Sequence, residues 1–152
     1  METVSDILAT KGREVFSVGP DVTLYEALEA MSDRNIGAIL VVDESGEIRG
    51  ILSERDFVRK IIIKGRSGEA TKVREIMTTK VLYVSPDTSI SDCMNLMTEK
   101  RVRHLPVIVG GKAVGVISIG DVVKAVLKKQ ESLISEQAFQ IGQLERYISG
   151  SP

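Results

Sequence analysis

The sequence predicts an α+β protein of two pseudo-symmetric repeats, each running strand, helix, strand, strand, helix, packed sheet to sheet and followed by a C-terminal helix. Three observations predict it. Val18-Gly19-Pro20-Asp21-Val22-Thr23-Leu24 returns 66 residues later as Val84-Ser85-Pro86-Asp87-Thr88-Ser89-Ile90. An apolar stripe at i, i+3, i+4, i+7 follows each copy, through Leu24, Ala27, Leu28 and Met31 and through Ile90, Cys93, Met94 and Met97. Each half then ends alike, in Gly50-Ile51-Leu52-Ser53-Glu54-Arg55-Asp56 and Gly115-Val116-Ile117-Ser118-Ile119-Gly120-Asp121, before a further helical stretch.

The elements follow in order. Val15 to Val18 and Val81 to Val84 read as the first strands. The next helix in each half opens on a capping box, Thr23-x-x-Glu26 and Ser89-x-x-Asp92, in which side chains satisfy backbone donors that the first turn leaves free. Buried strands come next, Arg34 to Val42 and Arg101 to Val109, aligned at 67 residues so that Gly37 and Ile39 stand where the second half has His104 and Pro106. Turns at Asp43-Glu44-Ser45-Gly46 and Gly110-Gly111 fold each strand back into a hairpin. The repeats are expected over 4–66 and 70–128, with the polar stretch Lys64 to Lys72 as linker. Residues 129–152 are expected to form a weakly amphipathic helix, with Leu133, Phe139, Leu144, Tyr147 and Ile148 as its apolar positions, and a frayed tail over Ser149-Gly150-Ser151-Pro152. A repeat of about 60 residues has too little core to stand comfortably alone.

Composition removes several function classes. With 43% hydrophobic and 27% charged residues, the 152-residue chain has the balance of a globular protein. Its net charge of −1 provides no global field for nucleic acid or an anionic membrane, so an anion site must be local. Aromatic residues are 4%, too few for a base-stacking platform. One cysteine, Cys93, and one histidine, His104, exclude an intramolecular disulfide and a Cys- or His-rich zinc site. No leader or membrane-length apolar run stands in the sequence, and a cytoplasmic location is expected. Neither a phosphate-binding glycine loop nor a nucleophile elbow is present, which argues against an enzyme and against a catalytic cofactor.

Ser53-x-x-Asp56 and Ser118-x-x-Asp121 hold the same place in both halves, where a buried strand enters a helix. Two readings stand side by side. One is a capping box and nothing more. The other uses the free amides and positive dipole end of the helix start for phosphate, and the two carboxylate oxygens for the vicinal hydroxyls of a ribose. Two such charge-assisted bonds would be worth about 3–6 kcal/mol, on the order of 10²–10⁴ in affinity.

The duplicated Pro-Asp-x-Thr/Ser helix start, the strand His104-Leu105-Pro106-Val107 and the repeated Gly-h-h-Ser-x-x-Asp together resemble the CBS domain, of which two copies make a Bateman module. The resemblance covers roughly residues 4–128 and is closer still to stand-alone tandem CBS proteins. It implies a regulatory sensor that binds AMP, ADP, ATP, S-adenosylmethionine or NAD in clefts between the repeats, works as a homodimer and acts on a partner protein. It further implies that Asp56 and Asp121 hold ribose hydroxyls and that Ser53 and Ser118, with Ile119 between the second pair, meet ribose or phosphate. Adenine would be clasped by apolar residues that include Val81, Val102, Leu105 and Pro106, together with Ile36-Gly37-Ala38. Arg55, Arg59, Lys60, Arg66, Arg103 and His104 are the candidates for phosphate. The two halves differ, so unequal affinities are expected. Cys93, at a core-facing helical position, is expected to be inert packing. The alternative to a sensor is a ligand-free scaffold that acts through protein–protein contacts.

Overall fold

A computed structural model describes residues 2–149. Helix α1 (Val4–Lys11) leads into the short strand β1 (Ser17–Val18), helix α2 (Leu24–Arg34) and the hairpin β2 (Ala38–Val42) and β3 (Ile48–Ser53). Helix α3 (Glu54–Asp56) continues as a π-helical segment over Phe57–Ile62, and a 3₁₀ turn, Val73–Glu75, opens the second half. Helix α4 (Ile90–Lys100), hairpin β4 (His104–Val109) and β5 (Lys112–Ser118), and helix α5 (Ile119–Ser149) complete the chain. The expected last helix of the second repeat and the expected C-terminal helix are therefore one uninterrupted element. Of the positions expected on it, Tyr147 and Ile148 lie outside the described side chains; of the expected tail over 149–152, Ser149 is the last residue of the helix and 150–152 lie outside the described residues. No described helix is long and apolar enough to cross a membrane.

Half of each expected capping box forms: Thr23 Oγ1 accepts from the Glu26 amide at 3.1 Å and Ser89 Oγ from the Asp92 amide at 3.0 Å, while the return bonds from the cap amides to the Glu26 and Asp92 carboxylates are absent among the described residues. Both helices end in a left-handed residue, Asn35 at φ 52 and Arg101 at φ 55. These two ends are 66 residues apart, and the hairpins keep that offset, since Ala38 faces Ser53 while His104 faces Ser118. The strand alignment at 67 is thereby corrected: Gly37 corresponds to Arg103, Ala38 to His104 and Leu40 to Pro106. The one-residue change falls later, in the shorter second hairpin turn.

In the first half β1 runs parallel to β2, whereas the expected strand Val81–Val84 is reduced to one bridge, Val84 to Val107. Pro106 explains the loss. Val84 donates to the Pro106 carbonyl at 3.0 Å and accepts from Ile108 at 2.9 Å. The next rung toward Leu82 would need an amide hydrogen on residue 106, which proline lacks.

Each half has its own core, and each core is completed by the other half's leading segment. Val4, Ile7 and Leu8 of α1 pack with Cys93, Met97, Leu105 and Ile117 of the second half. Val73 and Ile76, at the start of the second half, pack with Leu24, Met31 and Leu52 of the first. The exchange is symmetric in its hydrogen bonds: the Val4 amide donates to Thr88 O and the Ser5 amide to Pro86 O, each at 2.9 Å, while the Val73 amide donates to Val22 O and the Arg74 amide to Pro20 O, also at 2.9 Å. Glycines make the room. A Cβ on Gly115 would stand 2.6 Å from Leu8 Cδ2, and one on Gly50 would stand 2.8 Å from both Met77 Sδ and Thr78 O. Cys93 is fully buried, and burial pushes its thiol pKa up, in keeping with unreactive packing.

Candidate functional site

The exchange brings the first repeat's β3–α3 junction against the segment of the second half that enters β4. Between them lies a cleft of about 360 Å³, within the roughly 300–1,000 Å³ usual for small-molecule sites. One wall carries Gly37, Ser53, Asp56, Arg59 and Lys60; the other carries Thr78, Lys80, Leu82, Val102, Arg103 and His104. Neither repeat alone supplies both walls.

Asp56 is the best-held acid in this cleft. Its Oδ2 accepts from the Ser53 amide at 2.9 Å and from Ser53 Oγ at 3.1 Å, and its Oδ1 meets Lys60 Nζ at 3.1 Å. Aspartate is therefore long enough to reach back to the cap, and the capping reading of Ser53-x-x-Asp56 describes its present contacts. The cap occupies one oxygen and leaves the other to the Lys60 ammonium. Lys60 also donates to the Ile76 carbonyl at 2.7 Å, which fastens the π-helical turn to the exchanged segment. That wider turn carries Arg59 and Lys60 on the cleft wall, a placement consistent with the frequency of π geometry at functional sites.

The electrostatics are one-sided. Arg55, Arg59, Lys60, Lys80, Arg101 and Arg103 face the cleft against the carboxylates of Glu54 and Asp56. Among the described residues Lys60 alone of these cations is paired with a carboxylate. Arg55 Nη1 donates instead to the Arg101 carbonyl at 3.3 Å, at the left-handed end of α4. A chain near neutrality thus concentrates positive charge on one cleft. The His104 ring stands beside Gly37, where a Cβ would lie 3.2 Å from Nε2. Burial, and then the charge of Lys11, hold the His104 pKa below its ordinary value, so the imidazole is neutral at pH 7.

The other Ser-x-x-Asp is built alike and occupied differently. Asp121 Oδ2 accepts from the Ser118 amide at 2.8 Å and Ser118 Oγ at 3.0 Å. Lys11, from the exchanged α1, then donates to the same Oδ2 at 2.6 Å and to Val116 O at 2.7 Å. Burial alone would raise the Asp121 pKa; the Lys11 ammonium and the Ser118 amide outweigh it and bring it below the usual range. Counted along the exchanged segments, Lys11 corresponds to Lys80, which faces the first cleft without a carboxylate partner among the described residues.

Of the residues singled out in the sequence, Ser53, Arg55, Asp56, Arg59, Lys60, Val102, Arg103 and His104 meet in this cleft. Ser118, Ile119 and Asp121 do not line it, although the Ile119 amide donates to Arg103 O at 2.8 Å. Arg66 stands apart, 3.8 Å from Glu75. Val81 is half-buried between two lining residues, Lys80 and Leu82. Leu105 is wholly buried in the second core, as strand alternation dictates, and Pro106 is buried beside it. Ile51, Thr78, Lys80 and Arg101 line the cleft without having been singled out. Arg101 was findable from its place opposite Asn35 at the helix end, whereas the pairing of Lys80 with Lys11 appears only once the exchanged segments are aligned in space.

A family model of the CBS domain matches residues 4–63 and 73–128. This chain belongs to the CBS-domain family. Among its CBS relatives, the mitochondrial CBS domain-containing protein CBSX3 of Arabidopsis thaliana is 40% identical over 156 residues, spanning 97% of this chain and 72% of that one. A CBS-domain protein of Burkholderia ambifaria, provisionally assigned to signal transduction, superposes with a TM-score of 0.80 at 50% identity, covering 84% of this chain and 96% of that one. The CBS pair of MJ0100, solved with 5′-methylthioadenosine and S-adenosyl-L-methionine, shares the fold at a TM-score of 0.74 and 23% identity, covering 84% of this chain and 97% of that one. The two matched stretches make this chain a tandem CBS pair, and such pairs are regulatory modules.

Proposed function

We propose that this CBS pair is a sensor of adenosine-containing ligands, AMP, ADP, ATP or NAD, that binds one in the cleft between its repeats and signals by a change in their arrangement. The observation that carries the reading is the junction of Ser53 and Asp56 from one repeat with Lys80, Arg101 and Arg103 from the other around a single cleft. Asp56 Oδ1, exchanging Lys60 for ribose hydroxyls, and the guanidinium groups that have no carboxylate partner among the described residues, facing phosphate, divide a nucleotide between the two walls. Because both repeats contribute, a ligand can favour one arrangement of the halves over another, which is what signalling requires. The adenosyl ligands of MJ0100 support the ligand class. The module acts without catalysis, as a homodimer, on a partner protein.

One observation favours a ligand-free scaffold as the second reading: both Ser-x-x-Asp carboxylates are engaged in caps. A thermal-shift screen with AMP, ADP, ATP, NAD and S-adenosylmethionine separates the two. A ligand at 100 times its Kd adds about 2.7 kcal/mol and raises Tm, whereas no shift with any of them leaves the scaffold standing.

A further inference from the structure

Helix α5 has two faces, and the chain uses only one of them. Val122 and Ala125 are buried in the second core, while Val123 and Leu127, on the opposite side, are 40% and 53% exposed. From residue 127 to 141 every residue is exposed, so the helix leaves the CBS pair and continues without a partner among the described residues. Its outward stripe does not stop there. Leu127, Ile134 and Ile141 recur at steps of seven, and Val123, Gln130, Gln137 and Leu144 form a second row at the alternating three- and four-residue spacing. A seven-residue repeat averages 3.5 residues per turn, the period of a coiled-coil seam, not the 3.6 of a helix lying on a globular core. An isolated helix gains little stability from propensity alone, and an apolar stripe 56–65% exposed at Ile134, Ile141 and Leu144 calls for a second surface.

We infer that α5 pairs with α5 of a second copy of this chain in a parallel, in-register coiled coil running from Val123 to Leu144. The polar seam residues select this occupant. A glutamine amide is both donor and acceptor, so Gln130 and Gln137 each find their complement in the same residue across a two-fold axis, as polar seam residues fix register elsewhere. A partner helix of another sequence would have to place amides at both levels. Within the two rows, Ile134 and Ile141 at one seam position and Leu144 at the other follow the preference of β-branched residues and leucine for two strands. A seam of these 22 residues is about 33 Å long, and with two helices contributing it is on the order of the ~1,000 Å² that a specific interface needs. The stripe is also continuous with Ile119, 38% exposed at the start of α5, so the contact begins at the CBS pair itself. This rests on the homodimer named above but not on the ligand.

The test is the mass of the full chain by light scattering, set against Ile134→Glu with Ile141→Glu. Neither side chain touches either core, so folding is retained, and thermal unfolding checks it. The double substitution is expected to halve the assembly mass. Gln137→Cys supplies a second readout, because in-register parallel helices bring the two thiols together and a disulfide-linked dimer forms on oxidation. An assembly whose mass the double substitution leaves unchanged overturns the seam while the homodimer stands. A monomeric wild-type chain overturns both. A dimer lost on double substitution, with no cross-link at residue 137, overturns the parallel register.

Discussion

Lys11 Nζ lies 2.6 Å from Asp121 Oδ2, and it arrives there on a helix that belongs, in sequence, to the other repeat. Both helix starts hold an ammonium, but Asp121 takes Lys11 from the other half on its cap oxygen, whereas Asp56 takes Lys60 of its own half on its second oxygen and faces a cleft crowded with further cations. The halves are alike in fold and unlike in how each acid is paired.

Unequal occupancy follows from this pair. Calorimetric titration with AMP should give one strong site per chain. Lys11→Met should free the Asp121 carboxylate and add a second, weaker binding event, at a cost of about 1 kcal/mol in stability for a partly exposed ion pair. Two identical sites in the wild-type chain would remove the reason for the asymmetry.

The exchange of leading segments can be tested through its glycines. Gly50→Ala places a methyl group 2.8 Å from the Thr78 carbonyl, which is backbone and cannot swing away, so a loss of about 1–3 kcal/mol is expected in urea unfolding. Gly115→Ala meets the end of Leu8 at 2.6 Å, a side chain that can turn, and should cost less. In a double-mutant cycle Leu8→Ala should partly relieve Gly115→Ala, with a coupling of about 0.5 kcal/mol or more. Additive effects would mean that the contact does not hold the segment.

Much of this architecture was legible in the sequence because its signals are local. Thr23 and Ser89 mark helix starts, Gly110-Gly111 marks a hairpin, and the repeat pairs them. The signal for α1 was also local, since the Thr3 amide donates to Asp6 Oδ2 at 3.0 Å in the same box pattern, but its apolar face is short and is completed only by the other half. The exchange itself has no local mark. Nor does the lost strand at Val81–Val84, which follows from a missing amide hydrogen on a different strand. At the site, the sequence pointed to the Ser-x-x-Asp pairs and the basic cluster, yet not to their division. That the second half's Arg103 and His104 line one cleft with the first half's Asp56 depends on three-dimensional pairing.

Acid should weaken the fold in two steps. His104 has a folded pKa below its unfolded 6.5, so the unfolded chain binds more protons as pH falls through that range, and stability is lost from about pH 6.5 downward. Asp121, also depressed, contributes stability that is complete above its ordinary 3.8 and is lost as pH drops through the lower folded value. Urea midpoints at pH 7.5 and 5.5 isolate the first step. The wild-type midpoint should fall, while that of His104→Gln should change less; equal slopes would show that the histidine is not the group responsible.

The cleft cations should act together. Arg59→Ala with Lys80→Ala leaves both cores intact and should weaken ATP more than AMP, because more phosphate charge goes unmet. A loss of tenfold or more corresponds to about 1.4 kcal/mol. An equal effect on both nucleotides would place the phosphates elsewhere.

The most direct measurement is calorimetric titration of wild-type protein and Asp56→Asn with AMP, ADP, ATP and NAD. Asparagine can still accept the Ser53 amide and keep the cap, but it lacks the carboxylate charge for ribose. The expected result is one saturable site in the wild type whose affinity falls at least tenfold in the variant with Tm nearly unchanged. Saturable binding unaffected by Asp56→Asn, or no binding of any of the four by the wild type, would contradict an adenosine site at the junction of Ser53 and Asp56 with Arg101 and Arg103.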